Sequence, residues 1–124
     1  MAIKGVDHVV IRVKDLDQAV DAYRKILDIE PTRKSSPELH ADQAFFYLDN
    51  GTFVELIMPT DDASPIAGPL EKRGEGIHTI AFSVDSREET VVDLESKKVR
   101  VIGGSFVHPG SAHGVLLQLS QSDR

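Results

Sequence analysis

Apolar residues along this chain follow two rhythms in turn. The stretch Gly5-Val6-Asp7-His8-Val9-Val10-Ile11-Arg12-Val13 alternates with period two, as a strand does. Behind it, Leu16, Ala19, Val20, Tyr23, Ile26 and Leu27 recur at helical spacing, opened by Asp15 as a capping residue. Further strands are predicted over Ile29 to Lys34, Ala44 to Leu48 and Phe53 to Met58, with Asp49-Asn50-Gly51 as the hairpin turn before the last. The succession is β-α-β-β-β.

The same succession comes twice. Gly76-Ile77-His78-Thr79-Ile80-Ala81-Phe82-Ser83-Val84 repeats the first strand at an offset of 71 residues. Ser86 and Glu89 have capping-box spacing, and Val91 and Leu94 are expected to begin the buried face of a second helix. Val99 to Ile102 and Ser105 to His108 read as strands. Gly114-Val115-Leu116-Leu117-Gln118-Leu119 then matches Gly51-Thr52-Phe53-Val54-Glu55-Leu56 at an offset of 63, so the second copy has shorter loops. Pro59 to Glu75, with Pro59, Pro65 and Pro69, is a connector with a short helical turn around Ile66 and Leu70. The expectation is one α+β domain over residues 1–124: module one at 3–58, connector at 59–75, module two at 76–121. A half of roughly 55 residues is marginal alone, so the two are expected to share a core.

Composition narrows the function. Among 124 residues, 40% are hydrophobic and 27% charged, the balance of a soluble globule with a real core. The absence of cysteine excludes disulfides, thiolate catalysis, zinc fingers and iron–sulfur clusters. A net charge of −6 makes nucleic acid and anionic membranes poor partners. No apolar run approaches transmembrane length and Met1-Ala2-Ile3-Lys4 begins no signal peptide, so a cytoplasmic protein is expected.

Strand alternation locates candidate chemistry. In the first strand, Asp7, Val9, Ile11 and Val13 are expected to face the helix, and His8, Val10 and Arg12 to face away. In the repeat, His78, Ile80, Phe82 and Val84 face the helix, and Thr79, Ala81 and Ser83 face away. The faces turned from the helices are therefore polar or small, as in the wall of a wet cavity. In the last strands Glu55 lies between Phe53 and Ile57, and Gln118 between Leu116 and Ser120. A lone carboxylate on an apolar strand is costly to bury unless it is paired or binds a metal. The repeat groups His8 with Thr79 and Glu55 with Gln118: an imidazole, a carboxylate and two neutral oxygen donors, either a metal site or a hydrogen-bonded core pair. Arg12 can clamp a carboxylate or phosphate, or pair with Glu55. Tyr23 is expected in the core and His40 exposed in a loop over Ser35 to Gln43. His108 and His113 are expected beside the turn Pro109-Gly110-Ser111-Ala112, and Arg33-Lys34 and Lys72-Arg73 in solvent.

Asp7-His8-Val9-Val10, Asp15-Leu16-Asp17-Gln18-Ala19-Val20 with Tyr23, and Phe53-Val54-Glu55-Leu56 resemble the vicinal oxygen chelate (glyoxalase/bleomycin-resistance/dioxygenase) superfamily. Ser64-Pro65-Ile66-Ala67, the run from Leu70 to His78, His108-Pro109 and Gly114-Val115-Leu116-Leu117 are similar to the methylmalonyl-CoA epimerase branch in particular. The likeness runs from Lys4 to Gln121. It implies two tandem βαβββ modules forming an open, cavity-enclosing mixed β-barrel with helices outside. It also implies a divalent metal (Co, Mn, Ni or Zn), with ligands from the first and fourth strands: His8, Glu55 and Gln118. Thr79 stands where the epimerases carry a second histidine, next to His78, and Gln118 where they carry a glutamate.

On this likeness Glu55 is the expected catalytic residue. Arg12, Thr79 and Ser83 are the expected substrate-binding residues, for a small, anionic molecule. The expected activity is that of an isomerase or lyase acting α to a carbonyl or acyl-thioester, in a homodimer. The alternative is a metal-free small-molecule binder of the bleomycin-resistance kind. An extradiol dioxygenase needs two histidines and a carboxylate, and only His78 could supply the second.

Overall fold

The computed structural model describes residues 3–121 and realises the doubled β-α-β-β-β succession. The first copy runs β1 (Ile3–Arg12), α1 (Leu16–Leu27), β2 (Thr32–Ser36), β3 (Ala41–Tyr47) and β4 (Phe53–Pro59). The connector folds into α2 (Ala67–Arg73). The second copy runs β5 (Gly76–Val84), α3 (Arg87–Ser96), β6 (Val101–Ile102), β7 (Phe106–Val107), a 3-10 turn at Pro109–Ser111, and β8 (Leu116–Ser120). The strands form one mixed sheet in the order β2-β3-β4-β1-β5-β8-β7-β6. The order ends at β2 and β6, so the sheet is open, and each copy has the same internal order. The α+β class and the repeated βαβββ plan are those expected. Among the described residues no helix is long and apolar enough to cross a membrane.

By density of contacts the chain divides into two units: Val10–His78, and the described residues of Met1–Val9 with Thr79–Arg124. In the Val10–His78 unit, alternation sorts each strand cleanly. Val13, Ala44, Phe46 and Leu56 form a core with Leu16 and Val20 of α1, and Ile11, Tyr23, Val54 and Met58 pack against it. The opposite face carries Val10, Ala41 and Ile57, which pack with Ile66 of the connector. Helix α1 starts where predicted because Asp15 accepts a hydrogen bond from the Gln18 N–H at 3.1 Å. It stops at Asp28, which takes the left-handed conformation (φ 57°) and returns its N–H to the Arg24 carbonyl.

The turn between β3 and β4 closes through Leu48 N–H to Thr52 O (2.9 Å) and Gly51 N–H to Leu48 O (3.1 Å), with Gly51 at φ 85°. It sets the β3–β4 register, with Tyr47 opposite Phe53, Phe45 opposite Glu55 and Gln43 opposite Ile57.

Four expected strands change their boundaries. Strand β2 begins at Thr32 rather than Ile29, because the hairpin with β3 pairs Thr32 with Phe45. Strand β3 begins at Ala41 rather than Ala44, so the loop expected over Ser35 to Gln43 contracts to a turn at residues 37–40, where His40 takes φ 46°. Strands β6 and β7 keep only two residues each of the predicted four.

In the other unit, β5 and β8 pair in parallel, Thr79 with Leu116, Ala81 with Gln118 and Ser83 with Ser120. Ser86 caps α3 by accepting from the Glu89 N–H at 3.2 Å. The buried residue of α3 is Thr90, not Val91 or Leu94, which stay half-buried. Its hydroxyl donates to the Ser86 carbonyl at 2.7 Å, so a polar side chain is buried with its hydrogen bond satisfied inside the helix. Arg87 ties this helix to the last strand by donating to the Leu119 carbonyl at 2.9 Å.

Candidate functional site

Two polar arrangements stand out, one in each unit. The first surrounds His8 on β1. Its Nδ1 lies 2.7 Å from Asp7 Oδ2, and both side chains are buried. Alternation alone puts these neighbours on opposite faces, with Asp7 toward the helix; the hydrogen bond joins them instead. A carboxylate accepts, so in the neutral ring the proton sits on Nδ1 and Nε2 keeps the lone pair. The Ser83 hydroxyl reaches the other oxygen, Asp7 Oδ1, at 3.5 Å, the outer limit of a hydrogen bond. Thr79, Ala81 and Ser83 on β5 share a face with Leu116, Gln118 and Ser120 on β8, as the parallel register requires. Thr79 is buried and Gln118 half-buried on that face.

The second arrangement lies on the face of β3–β4 turned away from α1. Glu55 is only 8% exposed, and its Oε2 accepts a hydrogen bond from Gln43 Nε2 at 2.9 Å. Gln43 and Glu55 are diagonal neighbours across the hairpin, which lets a long amide span the gap. Along the strands, Ala41 and Ile57 give an aliphatic flank on one side of Glu55. Phe45, Phe53 and Tyr47 give an aromatic flank on the other.

Arg12 closes β1 in the same unit. It is 6% exposed, and its guanidinium donates from Nε to Gly74 O (2.8 Å) and from Nη1 to Ile77 O (2.9 Å). These bonds tie the end of α2 and the start of β5 to β1. Burial, and then the charge of Arg73, lower its pKa. His78 is half-buried beside them; burial first, then Arg12 and Arg73, push its pKa below the usual imidazole value. The positive charges of Arg12 and Arg73 thus both act on His78.

Of the remaining candidates, Tyr23 packs on the core as expected, its ring 6.3 Å from that of Phe46. His40 is exposed, with Nδ1 3.0 Å from Asp61 Oδ2; that hydrogen bond is the first cause holding Asp61 below the ordinary carboxylate range. His108 accepts from the Gly110 N–H and starts the 3-10 turn.

Sequence reasoning passed over Asp7, Gln43 and the three rings around Glu55. The register fixed by Asp49-Asn50-Gly51 could have found Gln43 and Phe45, since counting back from the turn sets them diagonal and opposite to Glu55.

Among the described residues no three His, Asp or Glu side chains gather as a ready cage for a metal ion. An imidazole with a carboxylate-held ring, as at His8, and an amide oxygen, as at Gln118, suit a borderline divalent cation in kind.

Comparison with known proteins gives the family context. The sequence model described as the Glyoxalase/Bleomycin resistance protein/Dioxygenase superfamily matches residues 7–116. The chain is 33% identical to the mitochondrial methylmalonyl-CoA epimerase of Homo sapiens, across 94% of this chain and 73% of that one. It is 32% identical to an ethylmalonyl-CoA/methylmalonyl-CoA epimerase of Cereibacter sphaeroides, across 96% and 98%. Among solved structures, a variant of the Streptomyces coelicolor methylmalonyl-CoA epimerase in complex with 2-nitronate-propionyl-CoA superposes with a TM-score of 0.86 at 29% identity, covering 99% of this chain and 100% of that one.

Proposed function

Because the chain belongs to the glyoxalase/bleomycin resistance protein/dioxygenase superfamily, we propose that it is an isomerase of the methylmalonyl-CoA epimerase kind. It would act on the carbon between the thioester carbonyl and a second acidic group of an acyl-CoA. The observation that carries this proposal is Glu55, a buried carboxylate held by the Gln43 amide between an aliphatic and an aromatic flank. Such a carboxylate is suited to take a proton from carbon, since water neither competes for it nor spreads its charge.

In the proposed step the Cα–H bond breaks, its proton passes to a Glu55 carboxylate oxygen, and the electron pair moves into the thioester as an enolate. A proton delivered from water to the opposite face inverts the centre, and the proton taken up by Glu55 leaves to water. With Glu55 as the base, His8 and Gln118 are the residues that would hold a divalent cation, and such an ion, when bound, would polarise the carbonyl. Asp7 fixes the His8 ring in the tautomer a ligand needs. Arg12, with Arg73, supplies positive potential that favours a substrate with a free carboxylate.

The test is exchange of the α-proton of methylmalonyl-CoA in D₂O, followed by mass spectrometry. Glu55→Gln keeps an oxygen donor and removes the basic carboxylate, so exchange is expected to fall by at least ~100-fold while metal content persists. Exchange that survives the substitution would remove Glu55 as the base.

A second reading is favoured by Thr79 and Gln118, neutral hydrogen-bonding groups at the positions where the epimerase likeness places a histidine and a glutamate. On that reading the protein binds a small molecule without metal and without turnover. A ligand held equally tightly in EDTA, with no exchange, would mark this outcome.

A further inference from the structure

We infer that the thioester turned over at Glu55 carries a bulky, ring-bearing or branched apolar substituent on its α-carbon, rather than a methyl group. The inference rests on the isomerase proposal above and names the substrate class within it. The face bearing Glu55 continues into a cluster of three rings. Phe45 and Phe53 lie 5.8 Å apart between centroids, Tyr47 and Phe53 5.5 Å, and Phe45 and Tyr47 6.3 Å in a stacked pair. Phe45 is directly opposite Glu55 in the β3–β4 register, and Phe53 is two residues along the same strand.

These positions set reach. Directly opposed residues have Cβ atoms about 5 Å apart, and residues i and i+2 of a strand are about 7 Å apart. A methyl group on a carbon at Glu55 ends one bond, about 1.5 Å, away and leaves most of this aromatic surface untouched. A benzyl or branched chain extends across it. The cluster is accessible to such a group: Tyr47 is 49% exposed, and Phe45 and Phe53 are each half-buried. The Lys34 ammonium stands 5.5 Å from the Phe45 ring centroid, so a cationic occupant of this flank would be repelled. The aliphatic flank of Ala41 and Ile57 is already filled by Val10 and Ile66, which leaves the aromatic side for the substituent.

The competing explanation is structural, since cross-strand aromatic pairs stabilise hairpins without binding anything. Two measurements separate them. The first is calorimetric affinity for two CoA thioethers in which methylene replaces the carbonyl, one with methyl and one with benzyl beside the carboxylate. The second is α-proton exchange of the two corresponding thioesters. The benzyl thioether is expected to bind at least ~10-fold tighter than the methyl one, as two or three aromatic contacts would give. In Phe45→Leu and Phe53→Leu, which keep apolar bulk and lose the ring, that ratio is expected to fall by roughly 5-fold. Tyr47→Leu, at the most exposed of the three rings, gives the same readout should a phenylalanine variant fail to fold.

A ratio at or below one, or a ratio unmoved by every variant that folds, overturns the substituent inference; methyl thioester exchange would then still support the isomerase. Tight, ring-dependent benzyl binding with no exchange of either thioester upholds the aromatic subsite and overturns the isomerase instead.

Discussion

At the scale of single residues, the Asp7–His8 bond decides the tautomer of one imidazole. Asp7→Asn preserves shape but replaces a charged acceptor with a neutral amide, which weakens the Nδ1 hydrogen bond and the basicity of Nε2. Affinity for Mn²⁺ or Co²⁺, measured by competition with a chelating dye, is expected to drop by about 10- to 100-fold. His78 offers a second test. Its folded pKa lies below the ordinary 6.5, through burial first and then the charges of Arg12 and Arg73. The unfolded chain therefore binds a proton at His78 before the folded chain does. The contribution of neutral His78 is complete above about pH 6.5 and is lost as pH falls below that value toward the folded pKa. Urea titrations at pH 7.5 and 5.5 should show His78→Gln losing less stability on acidification than the parent chain.

At the scale of elements, what was legible in sequence was whatever rests on local chemistry. Asp15 and Ser86 marked the helix starts because a short side-chain acceptor must satisfy the free N–H groups there. Asp49-Asn50-Gly51 marked the hairpin because only a residue at ease with positive φ closes it. Strand β2 resisted prediction for a physical reason: Thr32–Ser36 is an edge strand of polar, mostly exposed residues, with no buried face to impose a period. The start of β3 was hidden by the polar Asp42 and Gln43, whose partners, Ser35 and Glu55, come from other strands.

Two substitutions measure these elements. Gly51→Ala, forced into φ 85°, is expected to cost about 1 kcal/mol in denaturant unfolding. Leu56→Ala, at a fully buried site between α1 and the sheet, is expected to cost about 2–5 kcal/mol.

At the scale of the whole molecule, the repeat made the first and fourth strands conspicuous before any fold was known, because equivalent positions in two copies compare a polar residue with its own counterpart. It could not show which polar groups hold them, since Asp7 for His8 and Gln43 for Glu55 depend on register and side-chain direction. A property of the entire chain tests the resulting assignment without any turnover. A cation that binds the folded chain at His8 and Gln118, and not the unfolded chain, adds RT ln(1 + [M]/Kd) to stability, about 2.7 kcal/mol at a hundred times Kd. Urea unfolding with and without Mn²⁺ should show that gain as a higher midpoint with an unchanged slope, because only the folded state is stabilised. His8→Ala and Gln118→Ala should each remove the gain while retaining cooperative unfolding, whereas His40→Ala, at the exposed pair with Asp61, should keep it. A midpoint indifferent to Mn²⁺, Co²⁺, Ni²⁺ and Zn²⁺ alike would refute this donor assignment and favour the metal-free binder.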